Sequence, residues 1–256
     1  MAFATVLLLL SLFNQTSVQA AVPQVKTLII ASNRFVKFAG SEKAAQDLIA
    51  QEIAVLNASL SRQEAGLGIQ TVGFEKLDLQ DEFDPKELCD EWEDYQLDSA
   101  VTSERFQPVP ALRERYHADL VVFMVNCRSG LLAESNSYGN NCRGNREGKS
   151  KEEKDASYVF VDRLGLATLT LPHEVGHYLG IPNHNFANPK PGFATLMIAN
   201  GNRENLKRIP YWSDRTFQLD GRSLLPLNGE ADVDVIRANV SSSVTSFERW
   251  MHLRKR

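Results

Sequence analysis

Residues 173–185 read HEVGHYLGIPNHN, and this stretch decides how the rest of the chain is read. In a helix, residues i and i+4 share a face, so His173 and His177 are able to point at one metal ion. Glu174 lies about 100° around the helix from His173, close enough to reach a water on that metal without ligating it. The bland alternative is a surface helix that happens to hold two histidines. Of the chain's five histidines, however, His173, His177 and His184 all fall in this stretch, which favours a metal site. Gly180 adds to the pattern, because a helix that stops at glycine can reverse and bring a later ligand back to the same ion.

The order H-E-x-x-H-x-x-G resembles the zinc-binding motif of the metzincin peptidases up to Gly180. In that family the third ligand comes three residues after the glycine, a position held here by Asn183, with His184 one residue later. Two chemical arguments favour His184. Imidazole is a standard zinc ligand, whereas a neutral amide scarcely figures in zinc sites. Pro182 also biases Ile181 toward extended backbone, which makes room for a one-residue bulge. Asn183 then supports the ligands by hydrogen bonding, or remains the alternative ligand. A site with only two protein ligands, His184 merely capping the turn, stays open as well.

Metzincins also carry a methionine turn beneath the metal, and Gly192 to Met197 (GFATLM) supplies its residues at a suitable distance. A lone methionine is usually a flexible core filler, so Met197 is informative only through its place after HEVGHYLG. The segments Arg208–Ser213, Asp220–Arg222 and Glu230–Arg237 are similar to the C-terminal part of secreted bacterial reprolysin-like metzincins, closest to the peptidyl-Asp metalloendopeptidases. The resemblance spans about residues 26–250 and is specific from about 157 onward. It implies an α/β (α+β) fold with a twisted mixed sheet, two large helices and a small irregular C-terminal subdomain ending in a helix. An edge strand for substrate is expected somewhere in Ser129–Tyr138.

The activity implied is zinc-dependent endopeptidase chemistry: three imidazoles, a water whose pKa falls to about 7, and Glu174 as general base. The same carboxyl then protonates the leaving amine. Tyr178 is expected to pack, and Tyr211 to form wall or core in preference to an oxyanion contact. His117 and His252 have no motif support. No Ser/His/Asp signature, Walker loop or G-x-G-x-x-G is present. The competing reading is a catalytically impaired metzincin-like binding module with an altered third ligand. A different metal hydrolase built on the same two histidines and glutamate is weaker, because the methionine turn argues against it.

Composition agrees with a secreted enzyme and excludes other classes. The net charge is −4 and the pI near 5.8, the wrong sign for a nucleic-acid binder. Residues 1–20 hold no charge, and the run from Val6 to Phe13 is too short for a bilayer, which needs about 20 residues. It fits the core of a secretory signal, with Val18-Gln19-Ala20 as a small-x-small cleavage site, although a basic residue near the start is missing and an uncleaved anchor is the alternative. Residues 21–256 then form one domain, an upper part to about 180 and a lower part from about 181, with protein or peptide as substrate and no membrane partner after cleavage.

Of the three cysteines, Cys127 and Cys142 close the shortest loop, leaving Cys89 alone, and no pair has metal spacing. Buried strands are expected at Lys26–Ser32, Asp119–Val125 and Ser157–Val161, and an alternating one at Ile69–Phe74. Helices are expected from Ser41, over Ser103–Tyr116 and over Val233–Trp250. Asp78–Asp98 is acidic but lacks calcium-loop spacing, and Arg128–Lys154 reads as a surface loop with room for a short edge strand. Arg203, Lys207 and Arg208 are candidate cations for a subsite that selects acidic residues.

Overall fold

The computed structural model describes residues 22–78, 107–126, 139–143, 157–166, 168–181, 186–198, 206–227 and 229–240. Residues 1–21, with the expected signal segment, and Cys89, Cys127, Asn183, His184, Arg203 and His252 lie outside these residues, as do most of the acidic stretch and the chain beyond Val240. The cysteine pairing expectation therefore rests on sequence alone.

Strand β1 (Gln24–Ser32) and strand β3 (Leu120–Val125) are the central pair, parallel, with Thr27 opposite Leu120 and Ala31 opposite Met124. Leu28 to Ala31 and Leu120 to Met124 are wholly buried, as continuous apolar runs covered on both sheet faces require. β2 (Gly68–Leu77) joins β1 in parallel and β5 (Ser157–Asp162) joins β3 in parallel. β4 (Gly139–Arg143) closes the other edge antiparallel to β5, giving the order β2-β1-β3-β5-β4. The α/β class and mixed sheet expected from the sequence are thus observed. The edge strand lies just beyond the expected Ser129–Tyr138, which is outside the described residues. Its sequence, GNNCR, has no apolar alternation, and it falls within Arg128–Lys154, where the sequence left room for a short edge strand.

Helix α1 (Asn33–Ala39), absent from the sequence reading, is a helix of about two turns set between two caps. The Ser32 hydroxyl accepts from Phe35 N at 3.1 Å, and the chain leaves through Gly40 at φ 91°. Helix α2 (Glu42–Arg62) starts at Ser41, as expected, its hydroxyl accepting from Ala44 N at 3.1 Å. Ile49, Ile53, Leu56 and Leu60 bury its inner face in the core cluster that also holds Ile29, Leu120, Val122 and Val159. Asn57 uses both ends of its amide on Ile69 N and O, each at 2.8 Å, and so ties α2 to edge strand β2. Helix α3 (Pro108–Tyr116) falls within the expected Ser103–Tyr116, of which residues 103–106 lie outside the described residues; it opens on Pro and closes at His117 in the left-handed region. His117 is therefore a helix-ending residue. No helix among the described residues is long and apolar enough to cross a membrane.

After β5 come the short α4 (Arg163–Leu166) and α5 (Thr170–Tyr178), which carries the histidines. Beyond it lie two small ladders, β6 (Phe193–Ala194) with β7 (Lys207–Arg208) and β8 (Asp214–Leu219) with β9 (Arg222–Leu224), then α6 over residues 232–240. This lower part shares the main core through Leu196, Met197, Trp212, Val233 and Ile236. Polar ties also hold it to α2. The Gln63 amide donates to Trp212 O at 3.0 Å and accepts from Trp212 N at 2.8 Å. Arg237 of α6 donates to the carbonyls of Gln63 and Glu64 at the end of α2, where orphan acceptors need partners.

Asp232 and Ser213 bind each other reciprocally: Ser213 N donates to Oδ2, and Asp232 N donates to the Ser213 hydroxyl, both at 2.9 Å. Burial pushes the Asp232 carboxyl up to about 7, and its Oδ1 has no partner among the described residues. Because the folded state holds this proton more tightly than the unfolded chain, the stabilisation is complete below about pH 4 and is lost as pH rises through about 7. Unfolding in urea should therefore show the wild type losing roughly 3 kcal/mol more than Asp232→Asn between pH 5 and pH 8. Parallel pH profiles would refute the assignment of that loss to Asp232.

Candidate metal centre

Between β5 and the histidine helix comes the short α4. Leu169, just before α5, sits at φ 56°, a left-handed conformation that a leucine adopts only when its surroundings impose it. Pro172 falls in the first turn, where its missing N–H would have lacked a helical partner anyway. The C-terminal end meets the expectation for Gly180, which has φ 112°. Gly180 N bonds His177 O and Ile181 N bonds Gly176 O, both at 3.1 Å, the paired closure that reverses a chain at a glycine. Asn239 of α6 donates to Leu179 O at 2.9 Å and secures the same end.

His173 and His177 face one another, ring centroids 4.9 Å apart and planes at 90°. Each ring has its Nδ1 against a main-chain oxygen: His173 on Leu196 O at 2.7 Å and His177 on Ile181 O at 2.8 Å. A carbonyl can only accept, so each Nδ1 carries a proton, and in the neutral ring Nε2 is then the nitrogen with the lone pair. Both imidazoles are thus oriented as metal-ligating histidines are, with the other ring nitrogen held by a main-chain oxygen. The two oxygens come from the segments on either side of the undescribed 182–185: Ile181 from the reversal after Gly180, Leu196 from the tight turn 195–198. That turn closes through Ile198 N on Thr195 O at 3.3 Å.

Met197, inside the turn, is fully buried under α5. A Cβ added to Gly176 would lie 2.6 Å from the Met197 sulfur and 2.5 Å from Trp212 Cζ3. Gly176, between the two histidines, is therefore what lets the methionine and the tryptophan come up against the helix. Gly176→Ala should gain about 1 kcal/mol in helix propensity and lose about 1–3 kcal/mol to overpacking. Because Trp212 is rigid and wholly buried, the loss should win, and the melting temperature should fall. An unchanged melting temperature would mean that the methionine floor yields freely.

Glu174 is 5% exposed, with Oε1 3.8 Å from His173 Nε2. Burial holds its carboxyl well above the ordinary carboxylate range, while the positive Arg208 pulls it back down. Arg208 itself is buried and its guanidinium is engaged by Ile198 O, Thr168 O and the Thr170 hydroxyl. It is thus a structural tie and not a cation presented to substrate. Tyr211 is turned away from a catalytic part: its ring stacks on Phe217 at 5.5 Å with Arg62 over it. Tyr178 packs on the core, as expected.

The sequence reading missed the Leu196 and Ile181 carbonyls and the packing of Trp212, and it named Arg208 only as a candidate subsite cation. Only Gly176 left a signal, since a glycine inside a helix is costly without a packing reason. Among the described residues no three His, Cys, Asp or Glu side chains converge, and His184 and Asn183, the two expected candidates for a third ligand, lie outside those residues. No protein-family model and no curated protein matches the chain. Among solved structures, a chain from a chaperone–substrate complex superposes with TM-score 0.58 at 17% identity, over 85% of this chain and 34% of that one. Metalloproteinase-II from Bacteroides fragilis gives TM-score 0.44 at 12% identity, over 75% of this chain and 50% of that one. This chain thus spans a third to a half of the length of these structures, and the first likeness is one of fold alone.

Proposed function

We propose that the chain is a secreted zinc-dependent endopeptidase, with His173, His177 and His184 as ligands and Glu174 as general base. The observation that carries this reading is the paired Nδ1–H bonds to Leu196 O and Ile181 O, which orient two adjacent imidazoles one helical turn apart and leave Nε2 of each as the nitrogen for a metal. Their nitrogen chemistry and geometry fit zinc. When bound, zinc supplies a Lewis acid and lowers the pKa of a water. Glu174 takes the proton of the attacking water at its carboxylate and passes it to the leaving amine. Its buried surroundings favour the protonated form, so the carboxylate becomes the working base only beside a cation, which favours the charged form. Low exposure of His173 and Glu174 keeps bulk water from competing. β4, an antiparallel edge beside α5, can pair an extended peptide through its outer main-chain groups.

The displacement of the third histidine by one residue favours a second reading, a metzincin-like binding module without turnover. Zinc content of the purified mature protein, together with cleavage of unfolded casein, separates the two. One zinc per chain and casein cleavage that a chelator abolishes are the expected results. Zinc without cleavage selects the binding module, and neither zinc nor cleavage ends both readings.

A further inference from the structure

We infer that Arg208 is the positioning residue of this centre: its guanidinium staples the first turn of α5 to the 195–198 turn and so sets the ring of His173. Its consequence for zinc rests on the peptidase reading above, while the staple itself stands on geometry. Nε and Nη2 bind Ile198 O together, at 3.2 and 2.8 Å. Nη1 binds Thr168 O at 3.2 Å and Thr170 Oγ1 at 3.3 Å. These last two acceptors bracket Leu169, the one residue held left-handed at the start of the helix.

Both restraints on His173 originate beside these contacts. Its backbone N–H bonds Leu169 O at 3.2 Å, between the two bracketed threonines. Its ring Nδ1–H bonds Leu196 O, inside the turn whose last residue is Ile198. One planar fork therefore sets the distance between the two supports of a single imidazole. The fork geometry is what arginine provides and lysine does not, since an ammonium offers no two parallel donors at fixed spacing. Arg208 is fixed in turn by β7, where Ile209 N bonds Ala194 O at 2.8 Å. Burying a guanidinium is costly, and a residue needed only to fill this space could be apolar.

The test uses the full chain as wild type, Arg208→Lys and Arg208→Met. In metal-stripped protein, the downfield proton of His173 Nδ1–H, assigned by its absence in His173→Ala, reports the bond to Leu196 O. Zinc affinity is measured by competition with a chromophoric chelator, and thermal melting checks the fold. In Arg208→Lys and Arg208→Met the proton should broaden or shift, and zinc should bind about 10–100-fold more weakly, at temperatures far below melting. An unchanged proton and unchanged zinc affinity beside a lowered melting temperature would make Arg208 a stability residue only and overturn the inference. If Arg208→Met fails to fold, Arg208→Lys, which keeps the charge, decides alone. If the wild type binds no zinc but Arg208→Lys still loses the proton, the staple stands and the peptidase reading falls.

Discussion

Glu174→Gln should lower peptide hydrolysis by about 10²–10⁴-fold, the span attributed to a positioned acid–base group. Glutamine keeps the size and position of the side chain but has no basic oxygen that can take the proton of the attacking water. Fold and zinc content should survive, because the bonds that orient the two rings come from Leu196 O and Ile181 O and not from Glu174. Stability should hold or rise. The wild-type carboxyl is buried and its charged form is penalised there, a strain that the neutral amide removes. Hydrolysis rates on casein, zinc by elemental analysis and a thermal melt read these three quantities. Full activity in the variant would sink the assignment of Glu174 as base.

Zinc should be lost from His184→Ala and kept by Asn183→Ala. Removing a ligand should weaken binding by more than the roughly 10–100-fold that the loss of a supporting hydrogen bond costs. If Asn183 only supports a ligand, its alanine variant should stay within that range. The opposite pattern would make Asn183 the third ligand. Zinc indifferent to both would leave a two-histidine centre and favour the binding-module reading. His173→Ala should lose zinc in every case, since its ring is one of the two oriented donors.

Much of the fold was legible because it repeats simple rules. Leu28–Ala31 and Leu120–Met124 are unbroken apolar runs, and such runs are buried on both faces. Ser41 announces α2, and Gly180 announces the end of α5. Less legible were the elements with no periodicity. β4 (GNNCR) has no apolar alternation and pairs its main chain with β5, and α1 is only about two turns long between two caps. At the site, the motif named His173, Glu174 and His177, but not what holds them.

The sequence by itself determined the type and spacing of the chemical groups: two imidazoles one helical turn apart, a carboxyl between them, a glycine to reverse the chain and a methionine beyond it. Those follow from covalent spacing and helical period, which are local. Which nitrogen of His173 faces a main-chain oxygen was decided only by the tertiary structure, because Leu196 O lies 23 residues away in sequence, whereas His177 meets Ile181 O only four residues on. The same holds for the fit of Met197 and Trp212 against Gly176, and for Arg208, brought from β7 to the start of α5. A main-chain oxygen is common to every residue type, so nothing in the letters marks the one that will orient a histidine. Only packing, by excluding water and fixing which segments meet, makes that choice.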